Sequence, residues 1–264
     1  MKNMILCCLA AMTLQGAYAQ KLPNKQEGSL KAPTNVKIDG KVGEWGDFKA
    51  YNSATGLYYT LANDGQNLYL ILKAANPIAI EKLFGGGISL YLNNPNNVAK
   101  DARAAITYLA VNKTSRMAIA ELKKDTIAND LKKINNAIAS SLKTIIVKNL
   151  DDVKGDSIPV YNDYGIMAAS HLVNTKTYTC EISVPLKNIK SFINSQSVIN
   201  YTLQANAQSL NNMKVVMNGK EIENAAMDKR LVEIMNKLQQ SEDGASLRET
   251  MNDTNVSGEY MLVK

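Results

Sequence analysis

The chain has 264 residues, of which 45% are hydrophobic and 20% charged, and its formal net charge is +6. A chain of this length can fold without disulfide bonds, and the composition excludes collagen-like, low-complexity and wholly disordered chains. Only one His and three Cys are present, so the residue types of most transition-metal sites and catalytic triads are nearly absent. We therefore expect a globular protein that is not an enzyme and that carries no metal ion and no cofactor.

The first 19 residues have the pattern of an export signal. Lys2 precedes a short apolar run at 4–12, and Ala17-Tyr18-Ala19 matches the small-x-small cleavage pattern. The run is shorter than the ~20 residues that span a bilayer, and no later apolar stretch reaches that length. No transmembrane segment is therefore expected. A lipoprotein with an acylated Cys7 or Cys8 is the alternative. Cleavage after Ala19 predicts an exported protein, periplasmic or extracellular, that begins at Gln20.

The mature chain would keep one cysteine and a diffuse positive charge. Cleavage leaves Cys180 alone, so the fold must rest on its core and not on an internal disulfide. Removing Lys2 lowers the formal charge from +6 to +5, and the remaining basic residues are scattered along the chain. Because nucleic-acid sites need a dense basic patch, we expect no nucleic-acid partner.

Along the chain, the strand signals come first. Residues 20–33 are polar and aperiodic, and they predict a tether or a loosely docked arm before a single domain at 34–264. Asp64-Gly65 lies between two apolar runs and predicts a hairpin turn. The polar stretch 151–163 predicts a surface loop. The predicted strands are 36–38, 56–61, 67–72, 88–92, 104–112, 114–121, 166–168, 177–184, 200–205 and 259–263.

Two segments instead have a helical period. The first lies at 121–143 and the second at 224–240, and their apolar stripes are Ile127, Leu131, Ile134 and Ile138, then Met227, Leu231, Ile234 and Leu238. Short isolated helices are marginal in water, so we expect both to pack on the sheets. The predicted class is mainly β, an antiparallel jelly-roll-like β-sandwich with two inserted or appended helices.

Four segments in order make the chain resemble the family nine carbohydrate-binding modules and the related DOMON-type sandwiches. They are Ile38-Asp39-Gly40-Lys41-Val42-Gly43-Glu44-Trp45, the turn 62–70, the strand 87–93, and Tyr178-Thr179-Cys180-Glu181-Ile182-Ser183-Val184-Pro185-Leu186. The resemblance implies a jelly-roll-like sandwich and, for sugar-binding members, exposed aromatic rings that clamp a sugar. Haem-binding relatives hold iron by Met and His, so the resemblance makes His171 a candidate haem ligand. The simpler interpretation, which we favour, is that His171 is a surface or strand-end residue.

The candidate ligand-binding residues are Tyr161 and Tyr164, because both lie on a predicted loop, where binding residues concentrate. The simpler interpretation, which we favour, is that they only cover one end of the sandwich. Trp45 is either a sugar platform or, as we favour, a buried anchor, and Cys180 is expected to be a buried, inert thiol. Five aspartates could either bind calcium through their carboxylates or stabilise turns, and we favour the turn role. They are Asp39, Asp64, Asp151, Asp152 and Asp156.

The expected function is an exported, non-catalytic module that binds a glycan or a component of the cell envelope. The alternative is a structural or scaffold subunit of an envelope assembly, which would dock through the apolar face of its helices. A carboxylate-based hydrolase is the remaining enzyme hypothesis, with Asp151 and Asp152 as neighbours in sequence. Adjacent residues of an extended chain point to opposite sides, which disfavours it.

Overall fold

Short apolar strands separated by Asn, Asp and Gly turns pair into two antiparallel sheets. The computed structural model describes residues 21–97, 99–108, 129–208, 215–217, 220–222 and 249–264. The first sheet has the order β1-β2-β3-β9-β8 and the second β13-β10-β4-β5-β6-β7. The strands of the first sheet are β1 (Ala50–Asn52), β2 (Leu57–Asn63), β3 (Asn67–Ala74), β8 (Met167–Asn174) and β9 (Thr177–Pro185).

The second sheet is built from the chain segment between β3 and β8 and from segments that follow β9. Its strands are β4 (Ile88–Leu92), β5 (Ala104–Tyr108), β6 (Thr144–Lys148), β7 (Ser157–Pro159), β10 (Val198–Ala205) and β13 (Thr254–Met261). A separate small hairpin pairs β11 (Val215–Met217) with β12 (Lys220–Ile222). The chain is therefore mainly β, as the strand pattern predicts.

The main core lies between the two sheets. It combines apolar side chains from β2, β3 and β9 with those from β4, β5, β6 and β10 in one cluster. The hydroxyls of Tyr59 in β2 and Tyr201 in β10 form a hydrogen bond across the core, with 2.9 Å between the two oxygens. The two sheets thus form a sandwich, and a buried polar contact helps to set their register against each other.

Two of the connections between the described strands contain an α-helix. The helix α1 (Pro77–Gly85) has Pro77 in its first turn and is capped by the Asn76 side chain, which accepts from the Ala79 N–H at 2.8 Å. The sequence pattern did not predict it. The helix α2 (Asn129–Ser141) falls inside the predicted helical segment, and its Ile134 and Ile138 are buried in the main core. The second predicted helix, 224–240, lies outside the described residues, as do 109–121.

Among the described residues, no helix has the length and apolar character that crossing a membrane requires.

The N-terminal segment is a packed layer and not a loose arm. Gln26 is buried, and its side-chain amide exchanges two hydrogen bonds with the backbone of Leu61, at 2.6 and 2.8 Å. Asn63 donates its N–H to Leu30 O, and Ala32 donates its N–H to Asn63 O. The polar composition of this segment misled because the Gln26 side chain and the backbone groups of Leu30 and Ala32 bond to the edge of β2.

Residues 30–48 cover the outer face of the first sheet; we call this segment the cap. The predicted strand at Val36–Ile38 is wrong, because these residues have no partner strand. They pack instead against a second, smaller core of Ala32, Trp45, Ala62, Tyr69 and Ile71. With the cap on one side and the main core on the other, β9 is buried from Tyr178 to Val184 on both faces.

Two smaller corrections concern strand limits. The stretch 151–163, predicted to be a loop, contains the short strand β7, which pairs with β6. Its three residues were too few to show an alternating pattern. The first residue of the strand predicted at 166–168 precedes β8, which begins at Met167.

Gly40 fixes how closely the cap approaches the sheet. Its φ is +83°, and a Cβ there would lie 2.4 Å from the carbonyl carbon of Ser170 in β8. We expect Gly40→Ala to destabilise the fold by at least about 2 kcal/mol, from backbone strain and steric overlap. Gly43→Ala is the matched control, because a Cβ on Gly43 meets nothing within 4 Å. Urea unfolding of both variants measures the difference, and equal midpoints would contradict the assigned contact.

Candidate functional site

Three of the four segments that carry the family resemblance meet around Trp45. The Trp45 Nε1–H donates to Glu181 Oε1 at 2.7 Å, and its ring lies 5.3 Å from the ring of Tyr69. Trp45 is 7% exposed. The prediction that Trp45 is a buried anchor is confirmed, and its ring is not an exposed platform for a ligand.

Glu181 is the buried partner that the sequence did not reveal. Its Oε2 accepts the backbone N–H groups of Asp39 at 3.0 Å and Gly40 at 2.7 Å, and the residue has no exposed surface. Burial raises the pKa of Glu181 from 4.5 to about 7, although these hydrogen bonds act to lower it. Glu181 alternates with apolar residues along β9, a pattern that places it on one face of the sheet but does not show what covers that face. The signal that could have found it is the Trp45 indole, which needs a buried acceptor.

The Tyr161 loop is the strongest candidate for a binding site. Tyr161 is 93% exposed, the most exposed large hydrophobic side chain among the described residues. The loop around it is braced by Asn162, whose Nδ2 donates to Pro159 O at 2.8 Å and to Ile166 O at 2.6 Å. The Asn162 Oδ1 also accepts the Tyr164 N–H. The ring of Tyr161 therefore projects from a loop whose backbone is held in place.

Beside Tyr161 lies a cleft of about 850 Å³, which we call the Tyr161 cleft. The C-terminal half of α2, the strand β8 and the cap line this cleft. Its polar lining groups are Asp39, Asn136, Ser140, Lys143 and Ser170, and its apolar lining includes Ile38, Val160 and Ala168. Mixed polar and apolar walls are typical of sites for small, polar ligands.

Tyr164 does not share this cleft. It lines a shallower depression of about 540 Å³ with Gln66, Met167 and Lys187. Its hydroxyl oxygen accepts the Lys154 N–H at 3.2 Å, so the side chain also ties two loops together. The two tyrosines that sequence reasoning grouped therefore line different cavities.

A third cavity, of about 280 Å³, is lined by α1 and the turn before β2. Lys82 lines it, and its Nζ donates to Asn252 O at 2.7 Å and to Thr254 Oγ1 at 2.6 Å. Burial lowers the pKa of Lys82, against the opposing charges of Asp253 and Glu249. These contacts fix the start of β13, which gives this lysine a structural role.

The remaining sequence candidates have local roles. Cys180 is 2% exposed on the core side of β9, as predicted, and burial raises the pKa of its thiol. His171 lies half-buried on β8, where burial and then the charge of Lys41 lower its pKa. In the part of the chain that the structure describes, no three His, Cys, Asp or Glu side chains lie close enough together to hold a metal ion.

The aspartates are held by turns and loops. Asp64 Oδ1 accepts the N–H groups of Gln66 and Asn67, each at 2.7 Å, and Oδ2 accepts the Tyr69 hydroxyl. Burial acts to raise the pKa of Asp64, but these hydrogen bonds lower it overall. Asp151 accepts from Ser191, while Asp152 lies 3.6 Å from Lys190. Asp64 thus has the turn role expected of it.

A scan against protein-family models gives no match for this chain, and a search of curated proteins gives none either. Any statement about its ligand must therefore be argued from its own side chains.

The Trp45–Glu181 pair predicts a pH-dependent stability. Because the folded state raises the pKa of Glu181 from 4.5 to about 7, its protonated form favours folding, and this contribution is lost as the pH rises through about 7. We expect Glu181→Gln to cost about 1–3 kcal/mol through a mismatched buried acceptor. The variant should also lack the decline in stability that this group causes between about pH 4.5 and pH 7.

Urea unfolding at several pH values measures both effects. Glu259→Gln, which removes an exposed carboxylate of β13, is the control. A difference between wild type and Glu181→Gln that stays constant with pH would contradict the shifted pKa.

Proposed function

We propose that this protein is an exported, non-catalytic binding module, and that it holds a glycan in the Tyr161 cleft. The observation that carries the proposal is an almost fully exposed tyrosine, 93% accessible, at the rim of a cleft of about 850 Å³. An exposed ring at the rim of a cleft offers a flat apolar surface on which a ligand in the cleft can stack, and this placement favours a binding role.

The chemistry of the cleft suits a saccharide. A sugar ring has a flat apolar C–H face that can stack on the Tyr161 ring, and hydroxyls around its edge that need hydrogen-bond partners. The side chains of Asn136, Ser140 and Lys143 offer donors at the cleft wall, and the Asp39 carboxylate offers an acceptor.

The bracing of the loop supports a recognition role. The Asn162 side chain makes three hydrogen bonds to the backbone on either side of Tyr161, so the loop is ordered without a ligand. A preorganised contact loses less conformational entropy on binding, so more of the stacking energy appears as affinity. The export signal pattern and the resemblance to sugar-binding sandwiches agree with this proposal.

The scaffold alternative would need a surface other than the apolar stripe of α2. Ile134 and Ile138 are buried in the main core, and Asn135 exchanges hydrogen bonds with the Leu172 backbone at 2.7 and 3.0 Å. The helix is thus engaged with β8, and its apolar stripe is not available to a partner. The second segment considered for docking, 224–240, lies outside the described residues.

Tyr161→Ala tests the proposal directly. A glycan array first identifies the best glycan, and calorimetry then compares variants on it. Tyr161→Ala should weaken binding at least about tenfold, the loss typical of a central aromatic contact, and leave the melting temperature unchanged because the ring is exposed. Tyr161→Phe keeps the ring and should bind within about threefold of wild type.

A second variant blocks the cleft without touching Tyr161. Ser140 is exposed on α2 and lines the cleft, so Ser140→Trp should fill it and abolish binding of the same glycan. Wild-type affinity in both Tyr161→Ala and Ser140→Trp would exclude the cleft. A silent array combined with specific capture of an envelope protein would favour the scaffold alternative.

A further inference from the structure

Three aromatic side chains and a lysine form a patch on the outer face of the first sheet, at the C-terminal end of the cap. We call Phe48, Tyr51, Tyr58 and Lys73 the aromatic platform. Tyr51 of β1 and Lys73 of β3 are both register partners of Tyr58 of β2, so the three side chains lie next to one another. All four residues are half-buried, and each keeps part of its surface open to solvent.

The platform is tightly packed. The ring centroids of Tyr51 and Tyr58 lie 4.6 Å apart, and those of Phe48 and Tyr58 lie 6.1 Å apart. The Nζ of Lys73 lies 4.3 Å from the centroid of Tyr58 and 5.0 Å from that of Phe48. Contact with two ring faces holds the ammonium at a defined place on the sheet surface.

Lys73 has no carboxylate partner within ion-pair distance among the described residues. The rings stabilise the ammonium but do not neutralise it, and its half-burial reduces the screening by water. A positive charge fixed among apolar rings is complementary to a ligand that has a flat apolar face and a nearby anion. The net charge of +6 would also attract such a ligand from a distance.

We propose that the aromatic platform binds an acidic polysaccharide, with a uronic acid ring stacked on Tyr51 and its carboxylate paired with Lys73, which the Tyr58 ring holds in place. A sugar fits better than an acidic peptide, because the platform is a sheet face. Peptides commonly add to sheets by backbone hydrogen bonds at an edge, and a face offers none. The rings and the charge, in contrast, match the flat C–H face and the carboxylate of an acidic sugar.

This surface is separate from the Tyr161 cleft. Its residues come from β1, β2, β3 and the chain just before β1, and none of them lines the cleft. The inference shares only the ligand class with the proposed function, so the two can fail independently.

The test is calorimetry with polygalacturonate and, as the matched neutral probe, the same polymer after chemical reduction of its carboxyl groups. Wild type should bind the acidic polymer, and the affinity should fall as salt rises from ~0.01 M to ~0.1 M, which shortens the Debye length from about 30 Å to about 10 Å. Lys73→Met keeps the apolar stem and should weaken binding about tenfold or more. Lys73→Arg restores the charge and should bind nearly as wild type does.

Two further variants separate the possible outcomes. Tyr51→Leu keeps an apolar side chain but removes the flat ring, and it should weaken binding while the protein melts as wild type does. Tyr161→Ala should leave binding of polygalacturonate unchanged. Equal affinity for the reduced polymer, unchanged affinity in both Lys73→Met and Tyr51→Leu, or equally tight binding of poly-L-glutamate would each overturn the proposal.

Discussion

The hydrogen bond between Trp45 and Glu181 is the contact on which the outer layer depends. It joins a cap that has no regular strand to the interior strand β9 of the first sheet, and two backbone N–H groups of the cap bind the same carboxylate. A buried carboxylate without these donors would be very costly, so the cap and Glu181 require each other. We infer that loss of any one donor weakens the whole layer, not only one contact.

This cap determines which surfaces remain for binding. It covers the middle of the outer face, where Tyr69 and Ile71 pack beneath Trp45. Lys73, two residues further along β3 and on the same face, lies beyond this covered region and stays partly open. On the opposite side of the cap, Ile38 and Asp39 form one wall of the Tyr161 cleft. Both proposed binding surfaces therefore border a layer that is held in place by one buried carboxylate.

Sequence reasoning succeeded where structure is local. The hairpin of β2 and β3 follows from Asp64-Gly65 between two apolar runs, and the helical period placed Ile134 and Ile138 on the buried side of α2. It failed at Val36–Ile38 and at Gln26, because their partners are distant in sequence. Glu181 was missed for the same reason: an alternating pattern shows which residues share a face, but not what covers that face.

The segments that carry the family resemblance have physical roles in folding. Gly40 is needed for close approach to β8, Trp45 and Glu181 for the buried hydrogen bond, and Asp64 for the hairpin turn. A sequence could keep all of these for stability alone, whatever it binds. Tyr161 and the aromatic platform lie outside the four segments, so the resemblance bears on the sandwich and its cap, whereas ligand recognition must be argued from the exposed rings and from the charge of Lys73.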